Sequence, residues 1–344
     1  MDKQLKPLNL SRRAALRTIG SVVAASALSP LAGRSTFAQQ PQRTLRFSSL
    51  FRQDHDSSKS SEYFAELVGK KTGGKIKVQV FYNAALGDEG QTGEGIRSGT
   101  IDMGFAGQVG FGSYIRDIRV LELPFLYKDF DEIHGVYARI SPVLSERFSA
   151  KGVQLLGYVY EGPRMTLSTK PLGSYQDFKG LKLRVPQSPV YISMARAFGA
   201  VPTPVAFPEV YTALQAGVAQ ALEGSPSTLF TGKFYEVAKN LARTDHIYNA
   251  IYFGITPATF KSFSPDIQAA ILEAGKEATA YNLGLVKKGF EVDLGRLRQA
   301  GINETKPDLA PFRAAVAASN KKFAEDLGGT ALELFLAVEK ITKG

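Results

Sequence analysis

The sequence predicts an α/β protein of two domains, on three observations. Its 344 residues exceed what a single hydrophobic core ordinarily serves. Strand-like and helix-like segments alternate along most of the chain, the pattern of sheets covered by helices. From Pro265 a helical pattern continues for about 35 residues, against roughly 8 to 20 for a usual globular helix, so it is too long for one small domain. With 44% apolar residues the composition is that of a globular protein.

The elements follow in order. Residues 44–51 read as a strand, and 60–71 as an amphipathic helix with Phe64, Leu67 and Val68 on one face, stopped by Thr72, Gly73 and Gly74. The alternation in KIKVQVFY, residues 75–82, is that of a half-buried strand. Further strands are expected at 101–106, 153–158, 181–185, 220–223 and 251–256, with helices at 89–98, 129–149, 189–198 and 208–216. The closing helix has Ser264 as its cap, Pro265 at its first position and an apolar stripe through Ile267, Ala270, Ile271 and Ala274. It is either one brace across both domains or two helices broken near Gly284 or Gly289.

The formal net charge is +10, from 42 basic and 32 acidic residues. Residues 1–38 hold six basic residues against Asp2 alone, so half of the surplus lies in one ninth of the chain. The basic stretch precedes an apolar run, residues 19–32, too short to span a bilayer, and small residues at Thr36 and Ala38 suit a signal peptidase. Residues 1–38 are therefore expected to be a removed export signal. SRRAALR at 11–17, with Arg12 and Arg13 adjacent and Leu16 following, resembles a twin-arginine signal. The remaining 306 residues carry about +5, which leaves no case for nucleic acid. The absence of cysteine excludes disulfides, thiolate metal sites, cysteine nucleophiles and a lipid anchor on cysteine.

Most signs of chemistry fall away. His55, His134 and His246 are far apart and not at a zinc spacing, and the glycine run Gly87, Gly90, Gly93, Gly95 lacks both the GKS/T ending and the GxGxxG spacing of phosphate loops. Neither GxSxG nor HExxH occurs. No metal and no cofactor are expected. Two arginines stand out. Arg164 follows Pro163 at the entry to an apolar strand, and Arg184 lies between Leu183 and Val185, which point to the opposite face. A cation among buried residues needs an anion, because leaving it unpaired is costly. That anion is a ligand or an internal carboxylate such as Asp177 or Glu209.

Six ordered motifs carry a resemblance: ALGDE at 85–89, GTIDM at 99–103, LPFLY at 123–127, DFKGLKLRVP at 177–186, FGAVPTPVAFPEVYTALQAG at 198–217, and LEGSP at 222–226. In this order they resemble the extracytoplasmic solute-binding subunits of tripartite ATP-independent periplasmic (TRAP) transporters. The resemblance implies a two-lobed, Venus-flytrap α/β fold with a long helix bridging both lobes: residues 39–162 with roughly 245–288 as one, 163–244 with roughly 289–344 as the other. It implies a periplasmic receptor, not an enzyme, that closes on an organic acid and delivers it to the small and large integral membrane subunits of a secondary transporter. Arg184 matches the arginine that grips the ligand carboxylate, a task suited to a rigid two-donor fork, and Arg164 matches a second, less constant arginine.

The chain departs from the familiar pattern twice. Gly224 and Ser225 stand where an Asn is common after Glu223, and Gly107 and Gln108 stand where a polar or acidic side chain is frequent. These departures argue against sialic acid and leave the acid open. A micromolar ligand requires about 8 kcal/mol, whereas hydrogen bonds to charged groups net roughly 1.5–3 kcal/mol each. Further contacts are thus expected, with Gln108, Glu223, Ser225, Gln53 and His55 as polar candidates and Tyr211 and Phe207 as ring faces. A sugar acid fits such a set slightly better than a C4-dicarboxylate or 2-oxo acid, because a dicarboxylate would demand a second cation, which Arg164 could supply. The rival readings are the binding partner of a periplasmic sensor and an enzyme of organic acids.

Overall fold

The computed structural model describes residues 43–343, so the expected export signal lies outside the described residues. In chain order the elements are β1 (Arg43–Ser48), α1 (Asp56–Lys71), β2 (Ile76–Phe81), α2 (Glu89–Ser98), β3 (Met103–Ala106), α3 (Phe130–Ala150), β4 (Gln154–Ser168), β5 (Lys182–Val185), α4 (Pro189–Ala197), β6 (Val201–Pro204), α5 (Val210–Gln215), β7 (Ala221–Gly224), α6 (Pro226–Thr231), β8 (Asn240–Ile255), α7 (Pro257–Lys261), α8 (Pro265–Gln299), β9 (Asn303–Thr305), α9 (Ala310–Leu327) and α10 (Gly329–Lys343).

Two strands organise the whole. β4 and β8 pair antiparallel from Gln154 opposite Ile255 to Ser168 opposite Asn240. At one end β8 carries β3, β1 and β2. At the other, β4 carries β7, β5 and β6, while β9 pairs with β8. Each lobe is thus a small sheet, largely parallel, hung on one end of the same two crossing strands. The expected strands at 153–158 and 251–256 are only the ends of these much longer ones. Register shifts at Leu155/Gly157, Tyr160/Gly162 and Arg164/Thr166 let the pair bend between the lobes.

The first lobe is centred on Phe47, Phe64, Phe105 and Phe253, whose rings meet edge to face at 4.4–5.2 Å. Met165, Leu167, Val210 and Leu222 form a core in the second. α8 runs unbroken for 35 residues, so neither Gly284 nor Gly289 ends it. Its Ile271, Ala274 and Ala278 enter the first core and its Leu294 and Leu297 the second, which makes it the brace. β7 pairs with β4 only from Met165 on, so the preceding edge of β4 has backbone N–H groups to satisfy, and α8 satisfies two of them. Thr279 Oγ1 accepts from Tyr158 N at 3.1 Å and Asn282 Oδ1 from Tyr160 N at 2.6 Å. The approach is close enough that a Cβ on Gly275 would collide with the Leu156 carbonyl. α10 packs on α3 and on the 3-10 segment Arg116–Glu122, while α9 also touches α4, so the C-terminal helices reach both lobes.

Candidate functional site

Strands β1, β3, β5, β6 and β7 all present their carboxyl ends to one cleft, the place where open α/β sheets put ligands. The wall of the cleft draws on Phe51 after β1, Gln108 after β3, Arg184 on β5, Phe207 after β6, and Glu161, Arg164 and Asn249 on the crossing strands. Three contacts join the lobes beside it. The Phe51 and Phe207 rings meet edge-on at 5.6 Å, His55 Nε2 lies 3.1 Å from Thr228 Oγ1, and the Tyr191 hydroxyl donates to Glu122 Oε2 at 2.6 Å.

Arg184 sits between Leu183 and Val185, both fully buried, and is itself 3% exposed. Its Nε and Nη2 donate to the Val205 carbonyl at 3.0 and 2.7 Å, which leaves Nη1 without a protein partner among the described residues. No carboxylate there lies within 4 Å of it. Asp177 instead accepts from Gly173 N, Ser174 N and Ser174 Oγ, and Glu209 is exposed. Burial pushes the guanidinium pKa down to about 10, so the group stays charged at neutral pH at a cost in desolvation.

Arg164 presents the opposite case. Its Nε and Nη2 grip both oxygens of Glu223, Nη1 reaches Glu161 Oε2 at 3.2 Å, and the guanidinium lies 5.2 Å from the centre of the Tyr191 ring. Burial alone would raise the Glu223 pKa, but the adjacent Arg164 overrides it and holds the group at about 2. Arg164 lines the cleft with its charge already matched.

The family follows from comparison. Residues 47–326 match bacterial extracellular solute-binding protein, family 7. The chain belongs to the TRAP solute-binding proteins. It is 31% identical over 318 residues to the 2,3-diketo-L-gulonate-binding periplasmic protein of Escherichia coli K12, covering 92% of this chain and 94% of that one. It is 31% identical to the C4-dicarboxylate-binding periplasmic protein of Rhodobacter capsulatus, covering 87% and 90%. A solved TRAP periplasmic solute-binding protein from Roseobacter denitrificans, with bound L-galactonate, superposes with a TM-score of 0.80 at 29% identity, covering 88% of this chain and 99% of that one.

The cleft of this TRAP receptor takes in four of the nine residues singled out in the sequence: Arg184, Arg164, Gln108 and Phe207. Glu223 stands behind Arg164 as its counter-ion. Ser225 caps α6, its Oγ accepting from Thr228 N, and it is Thr228 that reaches the wall. His55 caps α1, stacks on Phe51 at 4.0 Å and is kept neutral by burial, its pKa lowered to about 4. Two residues point elsewhere. Gln53 is exposed and donates to Glu62, and the Tyr211 hydroxyl donates to Glu236. The sequence reading missed Glu122, Glu161, Tyr191 and Asn249. It read Gly107 as a lost side chain, yet Gly107 N donates to Glu89 Oε1 at 2.8 Å, and a Cβ there would meet that oxygen at 3.3 Å.

Glu122 gives a stability prediction. Burial pushes its pKa up to about 8, so the folded state holds a proton that the unfolded chain gives up above about 4.5. Stability from this group therefore falls as pH rises from about 4.5 to 8. Glu122→Gln mimics the neutral acid. It is expected to raise the melting temperature by several degrees at pH 8, at about 2 °C per kcal/mol, with little change at pH 4.5. Equal shifts at both pH values would show that Glu122 is ionised in the fold.

Proposed function

We propose that this chain is the periplasmic receptor of a TRAP transporter and that it captures a sugar acid through Arg184, releasing it unchanged to the membrane subunits. The observation that carries the reading is a buried guanidinium on the cleft wall with no carboxylate among the described residues to meet it. Such a group is poorly placed for stability alone, whereas a planar carboxylate entering the cleft supplies two acceptors in the geometry its fork requires. Two of the similar proteins bear on the acid: one is named for 2,3-diketo-L-gulonate and another holds L-galactonate. Export by the twin-arginine route, with cleavage after Ala38, is part of the same proposal and is supported by SRRAALR at residues 11–17.

Thermal-shift measurements against aldonates, uronates, 2-oxo acids and C4-dicarboxylates test the reading. A sugar acid is expected to raise the melting temperature most, by the mass-action term that gives about 2.7 kcal/mol at a hundredfold excess over Kd. Recovery of the ligand intact after long incubation is expected of a receptor. Stabilisation by neutral sugars alone would defeat the proposal.

A further inference from the structure

A monoacid and a diacid make different demands on the wall opposite Arg184. The ionisable groups along the cleft are Arg184, Arg164, Asp88, Glu89, Glu122 and Glu161. Arg164 is held by both oxygens of Glu223 and by Glu161. Glu89 is fixed as a carboxylate acceptor by the N–H groups of Gly107, Val109 and Gly110, at 2.8, 2.9 and 3.2 Å, and Asp88 caps α2.

We infer that the cleft selects hydroxylated monocarboxylates and rejects ligands with a second carboxylate, because Arg184 is, among the described residues, its one cation free of a carboxylate and the buried side-chain atoms of its wall left without a partner are acceptors. The inference rests on the reading of Arg184 as the carboxylate anchor. Buried oxygens of three wall residues, Gln108 Oε1, Glu122 Oε1 and Asn249 Oδ1, have no hydrogen-bond partner among the described residues. Unpaired buried acceptors are costly and call for donors. A protonated Glu122 can donate to Gln108, which still leaves Asn249 without a donor. A sugar hydroxyl supplies one and a carboxylate does not. The cleft also resists negative charge among its own residues, since burial raises the pKa of both Glu122 and Glu161 and the charge of Glu89 adds to the shift. A ligand carboxylate placed there meets the same penalty with no cation to offset it, a repulsive element of the kind that sets specificity.

Calorimetric titration of the processed protein, stripped of ligand by unfolding and refolding, tests this with matched pairs that differ only in a terminal CH₂OH or carboxylate: D-gluconate and D-glucarate, D-galactonate and galactarate, D-erythronate and tartrate. In the tightest pair the monoacid is expected to bind about 100-fold more tightly, the scale of like-charge juxtaposition. Glu161→Gln is expected to narrow that ratio about tenfold by admitting the diacid. Should that variant fail to fold, titration of the wild type at about pH 6.5 and about pH 8.5 replaces it: the ratio is expected to widen at the higher pH, where Glu122, its pKa raised to about 8, adds negative charge to the wall, and an unchanged ratio would overturn the selectivity. A diacid bound within about threefold of its monoacid, with Arg184→Ala abolishing both, would overturn the selectivity and leave the receptor reading intact. Binding that is indifferent to Arg184→Ala, or no binding by any of the six acids, would overturn both.

Discussion

Arg184→Ala is expected to weaken binding of the cognate acid by about 30-fold to several thousand-fold, the range of 2–5 kcal/mol seen when one partner of a buried charge pair is truncated. The loss is large because the site is desolvated and, among the described residues, no second cation stands free to replace it. Arg184 is 3% exposed, and Arg164 is occupied by Glu223 and Glu161. The fold should survive. Removing an unpaired buried cation relieves a desolvation cost, which offsets the loss of the two hydrogen bonds to the Val205 carbonyl. Arg184→Lys separates charge from geometry. Its ammonium can still meet Val205 or the ligand, but it cannot hold Val205 and a planar carboxylate as the fork does, so binding should fall between wild type and Arg184→Ala. Calorimetric titration of the three proteins with the tightest acid, with circular dichroism as the control for folding, decides it. Wild-type affinity in Arg184→Ala would remove Arg184 from the site.

The parts of this molecule that were legible in the sequence are those whose signals are local. α2 starts and stops where expected because Asp88 and Gln91 form a reciprocal cap and Gly99 takes a left-handed conformation, φ 86°. α8 was visible from Ser264 and Pro265, but its continuity depends on two cores that its glycines cannot reveal. The crossing strands were half invisible for a physical reason. Gly162 and Pro163 are strand breakers by type, yet they pair with Asn249 and Tyr248 just past a bulge at Glu161, and the first half of β8 is polar because Thr244, His246 and Asn249 are buried against the polar partners Thr166, Glu223 and Glu161. The site shows the same limit. Arg184 could be found because a charge between Leu183 and Val185 is locally anomalous, whereas Glu122 lies in a stretch that reads as loop and Tyr191 in a helix that reads as core. Gln53 and Tyr211 sit in the right segments and turn away, since side-chain direction depends on neighbours such as Glu62 and Glu236, distant in the chain.

Arg164→Met is expected to destabilise the protein by about 3–5 kcal/mol at pH 7.5, the cost of leaving a buried charge without its partner. Glu223 and Glu161 are 1% and 6% exposed, and both depend on Arg164. The pH dependence should then change sign. In the wild type the Glu223 pKa is depressed to about 2, so its contribution to stability is complete above the unfolded value near 4.5 and is lost as pH falls from there towards 2. Without Arg164, burial is the larger influence on both glutamates and raises their pKa values. The folded state then binds more protons than the unfolded chain above about 4.5, and stability falls as pH rises. The variant should therefore lie closest to wild type near pH 4.5 and furthest from it at pH 7.5. Adding Glu223→Gln to Arg164→Met should restore part of the loss at pH 7.5, because an amide needs no counter-ion. Urea denaturation of the wild type and both variants at the two pH values measures all of this. A variant as stable as wild type at pH 7.5 would mean that Arg164 is not what holds Glu223 ionised, and the case for its charge being spent inside the protein, with Arg184 left to the ligand, would fall with it.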